Sequence, residues 1–518
     1  MRFDCCGSDQ SQKKAARSGQ AWVIAAPHTS KCGIFALDGL PARGYAAGMP
    51  KATRRAKPSE ARASLIYWIV VAMLVVAALT GGASREDSIA QALIRGSLPL
   101  LLAVIVLIGR PREFDSLKRL SLLFLALVVL MAAMLVPLPP SAWLALPGRE
   151  LIEPAAPLAG MPQVWRPWAL SPPLAHNALY ALIPPGCVLF AMFYLTPDER
   201  AKLVAPLAAT VAASALLGVA QISGGEGGPL RWYAVHNRGA GIGFFANRNH
   251  QALFLAIGIL LMASWSVKTY AIGRIEPLRV GVAGLAALLF CVALLATGSR
   301  AGLVLMVVAI IGGILMLRKA LTSYLAKASA RVRLMAFGGA FAALGVLVAF
   351  AVLSPQGRTL SRLFELERGD DLRTRALPTM TEMVVTYFPA GAGFGGFEPT
   401  FRAHEPFALL ARQYLNEAHN DYLQLAVEGG LAGLLVLAAF AAWWLLTSWR
   451  ILRHSAPRYP YGVLPAAGAL IVLLVGLASL VDYPVRTPLM MITLLLACVW
   501  MELPRAEGSR RGALPQPH

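Results

Sequence analysis

Asp421, Gln424 and Glu428 fall at i, i+3 and i+7 at the head of an apolar helix, so they share one face. They belong to the stretch Ala418-His419-Asn420-Asp421-Tyr422-Leu423-Gln424-Leu425-Ala426-Val427-Glu428-Gly429-Gly430, which follows a long polar segment. Ionisable and amide groups at a membrane boundary are costly unless used. That face, with Asn420 beside it, is therefore expected to turn into protein or a wet cavity. His419 stands at the helix mouth. An imidazole exchanges protons near neutral pH and can take one from a sugar hydroxyl, which makes His419 a candidate general base. The plainer role for a histidine at a boundary is structural.

Arginine is the second chemical signal. The loop 354–422 holds Arg358, Arg362, Arg368, Arg373, Arg375, Arg402 and Arg412, and no lysine. Arg231, Arg238 and Arg248 precede it. By the orientation that the loop charges set, these segments face outward, where positive residues run against the usual bias and want a reason. Guanidinium grips phosphate bidentately and keeps its proton, whereas lysine is a point charge. Such a cluster at membrane level points to a phosphorylated lipid. Ion pairs with Glu365, Glu367, Asp370, Asp371, Glu398 and Glu405 are the plainer account. Arg300 is the sharpest member. The turn Thr297-Gly298-Ser299-Arg300-Ala301-Gly302 lies between two apolar runs, and its small polar residues leave room for a ligand. The alternative is an arginine snorkelling from a helix end.

Four further segments carry weaker signals. Gly239-Ala240-Gly241-Ile242-Gly243-Phe244-Phe245-Ala246-Asn247-Arg248-Asn249-His250 joins an outer loop to a span. Its G-x-G spacing is not a dinucleotide fingerprint, because no βαβ unit surrounds it. Asn247 or Asn249 can cap the helix. Arg238 and Arg248 bracket the segment within reach of a lipid phosphate, and His250 reads as a capping or packing residue. Pro389-Ala390-Gly391-Ala392-Gly393-Phe394-Gly395-Gly396-Phe397 is either a loop that closes over substrate or a plain turn. Asp370-Asp371 and His404-Glu405 offer too few oxygens for a hard-cation site, so no metal is expected.

The elements that must position these groups are membrane helices. The chain has 518 residues, is 57% hydrophobic and has a mean hydropathy of +0.60, more apolar surface than a soluble protein of this length can bury. Its net charge of +20 would suggest nucleic acid in a soluble protein. Here much of the excess sits in short loops, where it sets topology, so no nucleic-acid partner is expected. Cys187, Cys291 and Cys498 lie in apolar runs as small hydrophobes, Cys5, Cys6 and Cys32 lie near the N-terminus, and no spacing suggests disulfides or zinc. The first apolar run starts too late and is too long for a cleavable signal peptide.

Apolar runs over 64–81, 89–109, 120–138, 176–195, 203–222, 249–267, 279–297, 301–317, 335–353, 423–447, 462–481 and 486–502 are each long enough for the hydrocarbon core. They predict an all-α polytopic bundle of about 12 transmembrane helices across 63–502. Residues 1–62 are polar and basic and are expected to form a disordered cytoplasmic tail. Met49, ahead of Lys51, Arg54, Arg55 and Lys57, is a second candidate start. Residues 503–518 form the other tail. Arg110, Arg112, Lys118 and Arg119, then Lys268, Arg274 and Arg279, then Arg318, Lys319, Lys327, Arg331 and Arg333, then Arg450, Arg453 and Arg458 all fall on one side. The positive-inside bias makes that side, and both termini, cytoplasmic. The opposite, periplasmic side carries the segments 139–175, 223–248 and 354–422. The last is too long for a connector and is expected to be functional.

Gly298-Ser299-Arg300-Ala301-Gly302, the Phe245–Asn249 segment, Gly391-Ala392-Gly393-Phe394-Gly395, His419-Asn420-Asp421-Tyr422 with Glu428-Gly429-Gly430, and Asp482-Tyr483-Pro484-Val485-Arg486-Thr487 occur in an order that resembles the O-antigen ligase and polymerase superfamily. The resemblance covers roughly residues 64–502. It implies a bacterial inner-membrane transferase that moves a glycan from undecaprenyl pyrophosphate to a hydroxyl at the periplasmic face. The transfer it implies is inverting, metal-independent and without cofactor. Arg300 then matches an essential arginine that is both catalytic and pyrophosphate-binding, and His419 an essential loop histidine. Arg238 or Arg248 matches a further phosphate-binding arginine, and Arg373 is a weaker match of that kind. Asn420, Asp421, Gln424 and Glu428 form the supporting polar face. The favoured acceptor is lipid A-core, as for a ligase. A second repeat unit, as for an O-antigen or exopolysaccharide polymerase, and Ser or Thr, as for a protein O-oligosaccharyltransferase, remain open. A polysaccharide transporter or flippase is the non-enzyme rival, but transporters place polar groups at broken helices near the midplane. Residues 1–48 depart from the family pattern, which fits a late start.

Overall fold

A computed structural model of the chain describes residues 58–85, 88–112, 114–225, 228–267, 276–353, 372–410, 415–453 and 461–504. Residues 1–57 of the expected tail, Met49 included, residues 505–518, and Arg358, Arg362, Arg368, Arg412, Asp370 and Asp371 lie outside the described residues, whereas residues 58–62 of that tail are helical rather than disordered.

Three long helices, α1 (Pro58–Thr80), α2 (Ile89–Ile108) and α3 (Lys118–Ala133), lead into a small cap. The cap holds β1 (Pro137–Leu138), α4 (Pro140–Leu144), α5 (Ala155–Leu158) and β2 (Arg166–Pro167), with β1 and β2 paired antiparallel. Next come α6 (Pro172–Tyr180), α7 (Ile183–Met192), α8 (Pro197–Lys202), α9 (Val204–Ser223), α10 (Arg248–Ser266), α11 (Pro277–Ala296), α12 (Arg300–Lys327) and α13 (Ala330–Leu353). The last five are α14 (Leu372–Tyr387), α15 (Phe397–His404), α16 (Asp421–Arg453), α17 (Leu464–Ala478) and α18 (Pro488–Met501). Among the described residues, nine helices are long and apolar enough to cross a membrane, with α6–α7 and α8–α9 each counted as one, and α17 and α18 are shorter apolar helices.

Local chemistry sets the helix starts. Thr196 and Glu199 form a capping box at α8, each side chain satisfying the other's backbone N–H. Asn247 caps α10 by accepting from Asn249 N, and Ser299 caps α12 by accepting from Gly302 N. α10 is buried from His250 almost to its end, between α9, α11, α12 and α17. A helix apolar on all sides belongs in such a core. By contrast α13 leaves Phe341 and Leu344 exposed, an exterior suited to lipid.

Hydrogen bonds gather alternate connections at one end of the bundle. Ala246 N donates to Gly82 O at 3.1 Å, Leu170 N to Ala392 O at 2.9 Å, and Asp421 N to Ser479 O at 2.9 Å. The intervening connections meet elsewhere: Arg112 N donates to Phe193 O at 2.8 Å, and Trp500 Nε1 to Arg200 O at 2.9 Å.

One helix is broken where the sequence places a glycine pair. Gly430 in α16 has φ 53° and ψ −148°, a conformation open essentially to glycine. The carbonyls of Val427 and Glu428 accept instead from Ala392 N at 2.8 Å and Gly393 N at 2.9 Å, and Leu431 N donates to Pro389 O at 2.9 Å. The glycine-rich segment 389–397 is thus docked on the break rather than hanging free. A Cβ at Gly430 would overlap the Pro389 carbonyl oxygen. Gly430→Ala is expected to cost at least about 1–3 kcal/mol of stability. Thermal unfolding in detergent reads this, and an unchanged midpoint contradicts it.

Candidate functional site

Asp482, in the connection between α17 and α18, is the hub of the first cluster and is 2% exposed. Its Oδ2 accepts from Asn247 Nδ2 at 3.1 Å and Asn249 Nδ2 at 2.6 Å. Its Oδ1 accepts from Tyr483 N at 3.0 Å and lies 3.2 Å from His419 Nδ1. A carboxylate only accepts, so the partner assigns the proton to Nδ1 and leaves Nε2 as the basic nitrogen of His419. Burial pushes the Asp482 carboxyl up, but the hydrogen bond from His419 and the charges of His250, His419 and Arg373 outweigh it and hold the carboxyl below the usual carboxylate range. His419 has φ 51°, a left-handed conformation uncommon away from glycine, and its ring lies 4.8 Å from that of Tyr483.

The hub reaches α12 through Asn249, whose Oδ1 accepts from Ser299 Oγ at 2.8 Å. Ser299 caps α12, and Arg300 is the exposed first residue of that helix. A helix N-terminus with an arginine on it favours an anion twice over. Arg373, at the head of α14, donates from Nη1 to Val481 O at 3.4 Å, next to Asp482.

A second cluster surrounds Arg486. Its guanidinium lies 3.4 Å from Glu417, 3.6 Å from Asp421 and 3.1 Å from Glu428. Gln424 Nε2 bridges Glu417 and Glu428, and its Oε1 accepts from Ala418 N at 2.8 Å. Three carboxylates around one cation leave excess negative charge. Burial first, then Glu428 and Asp421, push the Glu417 carboxyl up to about 7, against the pull of Arg486 and the Gln424 hydrogen bond. The folded protein therefore holds a proton there that the unfolded chain would release at lower pH. Stability from this group is present below the ordinary carboxylate range and is lost as pH rises through about 7. Wild-type protein is expected to lose thermal stability between about pH 5 and 8. Glu417→Gln should flatten that slope, and a slope unaltered by the substitution counts against it.

This second cluster forms the polar end of a cavity of about 1130 Å³. Arg85, Gln91 and Arg95 also face it, and its apolar wall comes from Leu123, Leu127 and Met131 of α3, Leu434 and Phe440 of α16, and Val472 of α17. The segment 416–422 divides the two clusters. Glu417, Asp421 and Tyr422 line the cavity, whereas His419 turns to Asp482.

The structure thus brings His419 and Arg373 to Asp482, and ties the Arg300 helix start to the same network. It gathers Asp421 and Glu428 on Arg486, with Gln424 donating to Glu428 and Glu417. Asn420 caps α16, accepting from Tyr422 N at 3.1 Å and Leu423 N at 3.0 Å. Arg238 and Arg248 are exposed on either side of the Gly239–Asn247 segment. Other outer arginines serve the protein itself. Arg231 donates to carbonyls of Gln221, Gly225 and Ala240, Arg375 to Ala408 O at 2.8 Å, and Arg402 pairs with Glu398 at 2.7 Å. His404 Nδ1 lies 2.9 Å from Thr400 O. Among the described residues no group of three or more His, Cys, Asp or Glu side chains could hold a metal ion.

Residues 285–438 match the family model described as O-antigen ligase. The resemblance to the O-antigen ligase superfamily stands on that match. The matched segment runs from within α11 into α16 and includes Arg300, Arg373, His419 and the face from Asn420 to Glu428. Arg238, Arg248, Asp482 and Arg486 lie outside it. No curated protein matches the chain.

Asp482 and Arg486 are not among the site residues expected from the sequence. The signal for them was present. An acid and an arginine between two short apolar runs are costly at that depth unless partnered, the same reasoning that singled out Glu428.

Proposed function

We propose that this chain is a glycan transferase of O-antigen ligase type. It moves a glycan from undecaprenyl pyrophosphate to an acceptor hydroxyl, with lipid A-core as the acceptor. The observation that carries the reading is the arrangement of His419 on Asp482, in one network with the cap of the helix that Arg300 begins. In this mechanism the acceptor oxygen attacks sugar C1 from the face opposite the pyrophosphate. The C1–O bond breaks, and the electron pair leaves with the pyrophosphate. His419 Nε2 takes the acceptor proton, while Asp482 keeps the imidazole in the required tautomer. Arg300 and Arg373, with Arg238 or Arg248, offset the charge that builds on the leaving phosphate oxygens. Inversion at C1 follows from the single displacement, and the steps use no metal or cofactor. The cavity suits the lipid part of a substrate, having an apolar wall and a polar end.

In the bacterial inner membrane, α10, α17 and α18 join the nine candidate spans to make about twelve crossings, with both termini cytoplasmic. Every odd-numbered connection, including 354–420, is then periplasmic. The mutual hydrogen bonding of those connections at one end of the bundle supports this arrangement.

The test is a deletion strain with and without a plasmid copy, followed through its lipopolysaccharide ladder and lipid-linked intermediates. The reading expects core-lipid A to lose its ladder while polymerised glycan stays on undecaprenyl pyrophosphate. Accumulation of single repeat units would replace ligase with polymerase. No change in either pool would overturn lipid-linked O-antigen as the substrate.

A further inference from the structure

His250 is a buried titratable group that the mechanism above does not use. It lies in the first turn of α10 and is 1% exposed. Neither ring nitrogen finds a hydrogen-bond partner among the described residues. A neutral imidazole carries one donor and one acceptor, and buried polar groups of this kind are normally satisfied. Nε2 lies 4.0 Å from Asp482 Oδ1. That is beyond a direct hydrogen bond and within the span of two hydrogen bonds that share one water.

A cavity of about 10 Å³ lies at this point, lined by Asn249, His250 and Asp482 on its polar side and by Leu253, Ala301 and Leu305 on its apolar side. That is about the room one water occupies, and three polar groups are enough to hold it. Phe245 and Tyr483 stand edge-on to the imidazole at 6.2 Å and 5.4 Å and fix its plane. The charged or titratable groups around His250 are Asp482 and Tyr483 from the α17–α18 connection, His419 from the mouth of α16 and Arg373 from α14. α12 and α17 present only Ala301, Leu305 and Ala478 at the cavity.

We propose that His250 is a positioning residue for His419: it donates through one water to Asp482 and so fixes the carboxylate that holds the reacting imidazole. This rests on the reading of His419 as the base. Its consequence has a sign. A donor on Asp482 disperses the carboxylate charge. Without that donor more of the charge falls on the His419 Nδ1–H, and the imidazole becomes a stronger base.

The experiment compares pH–rate profiles of purified full-length wild type, His250→Phe and His250→Gln, with His419→Ala as reference. His250→Phe is expected to move the acid limb of the profile upward by about 0.5–1 pH, with a severalfold lower rate and unchanged KM for the lipid-linked donor. Glutamine keeps an amide donor and should restore the wild-type limb. Simple packing loss would lower the amount of folded enzyme without moving the limb. A wild-type limb in His250→Phe, or equal limbs in the two variants, overturns the proposal. An experimental map of the wild type that resolves ordered water tests it without any variant. Density between His250 Nε2 and Asp482 Oδ1 supports the proposal, and a dry gap refutes it. If His419→Ala retains transfer, the reading of the base itself has failed. If that variant is inactive while His250→Phe keeps the wild-type limb, only the role of His250 falls.

Discussion

Asp482→Asn is expected to lower glycan transfer by about a hundred- to ten-thousandfold while the protein still folds and inserts, the scale on which a misplaced general base costs rate. The reason lies in donor counting. Asp482 accepts from Asn247, Asn249, Tyr483 N and His419. An asparagine has one acceptor oxygen, and its NH₂ must face a donor on one side or the other. If the amide oxygen stays on Asn247 and Asn249, the NH₂ faces His419 Nδ1 and drives the imidazole into the tautomer that protonates Nε2. That nitrogen can then no longer take the acceptor proton. If the amide flips, two asparagine donors lose their partner and the α10 cap loosens. His419→Ala should fall at least as far, because it removes the base outright. The measurement is ladder formation in a deletion strain carrying each variant, normalised to protein level, followed by single-turnover assays on purified protein. More than half of wild-type activity in Asp482→Asn would mean that Asp482 does not orient His419.

Much of the bundle was legible because lipid leaves little choice. Backbone groups in hydrocarbon must be satisfied within their own segment, so long apolar runs become helices. Each apolar segment expected from hydropathy overlaps a helix, down to the split at Thr297-Gly298-Ser299, where α11 ends and α12 begins, but 120–138 runs past α3 into β1 and 176–195 is divided between α6 and α7. Interruptions inside the helices were harder to see. Gly430 breaks α16, yet Gly429-Gly430 reads equally well as tight packing in a continuous helix. What distinguishes the two is the partner at 389–397, more than thirty residues earlier, and hydropathy carries no pairing information. Gly391 makes that docking possible by letting the backbone approach Glu428 and Gly430, while Gly393 lets the same segment pass close to Ala169.

Legibility at the site divides along the same line. Periodicity alone places Asp421, Gln424 and Glu428 on one face, and in the structure Asp421 and Glu428 share one cation while Gln424 donates to Glu428. It cannot name that cation, because Arg486 lies in a different connection. His419 was visible as a histidine at a helix mouth, but its neighbour Asp482 is 63 positions away. The arginines were visible as a composition bias. Their division into those occupied by carbonyls and carboxylates, such as Arg231 and Arg402, and those exposed near the Asp482 network depends on loop packing that no short motif encodes.

Arg486→Leu should have the largest effect on stability. Removing the guanidinium leaves Glu417, Asp421 and Glu428 facing one another at the polar end of the cavity, with Gln424 between two of them. Taking one partner out of a buried ionic cluster costs about 3–5 kcal/mol, because the remaining charges keep their desolvation penalty and lose their compensation. Arg486 itself reflects the same coupling: burial disfavours its charge, but the three carboxylates more than offset this and hold its pKa above the usual arginine range. In the leucine variant the carboxylates can relieve the repulsion only by taking up protons. The variant should therefore be severely destabilised at pH 8 and recover toward wild type near pH 5, a steeper fall with rising pH than the Glu417 slope of the wild type. Arg486→Lys should recover only part of the loss, since one ammonium cannot reach three carboxylates as a fork does. Thermal unfolding of the detergent-purified variants at pH 5 and pH 8 measures both effects. Equal stability of wild type and Arg486→Leu at pH 8 would mean that the carboxylates are already neutral without the guanidinium, and that Arg486 serves the cavity rather than the fold.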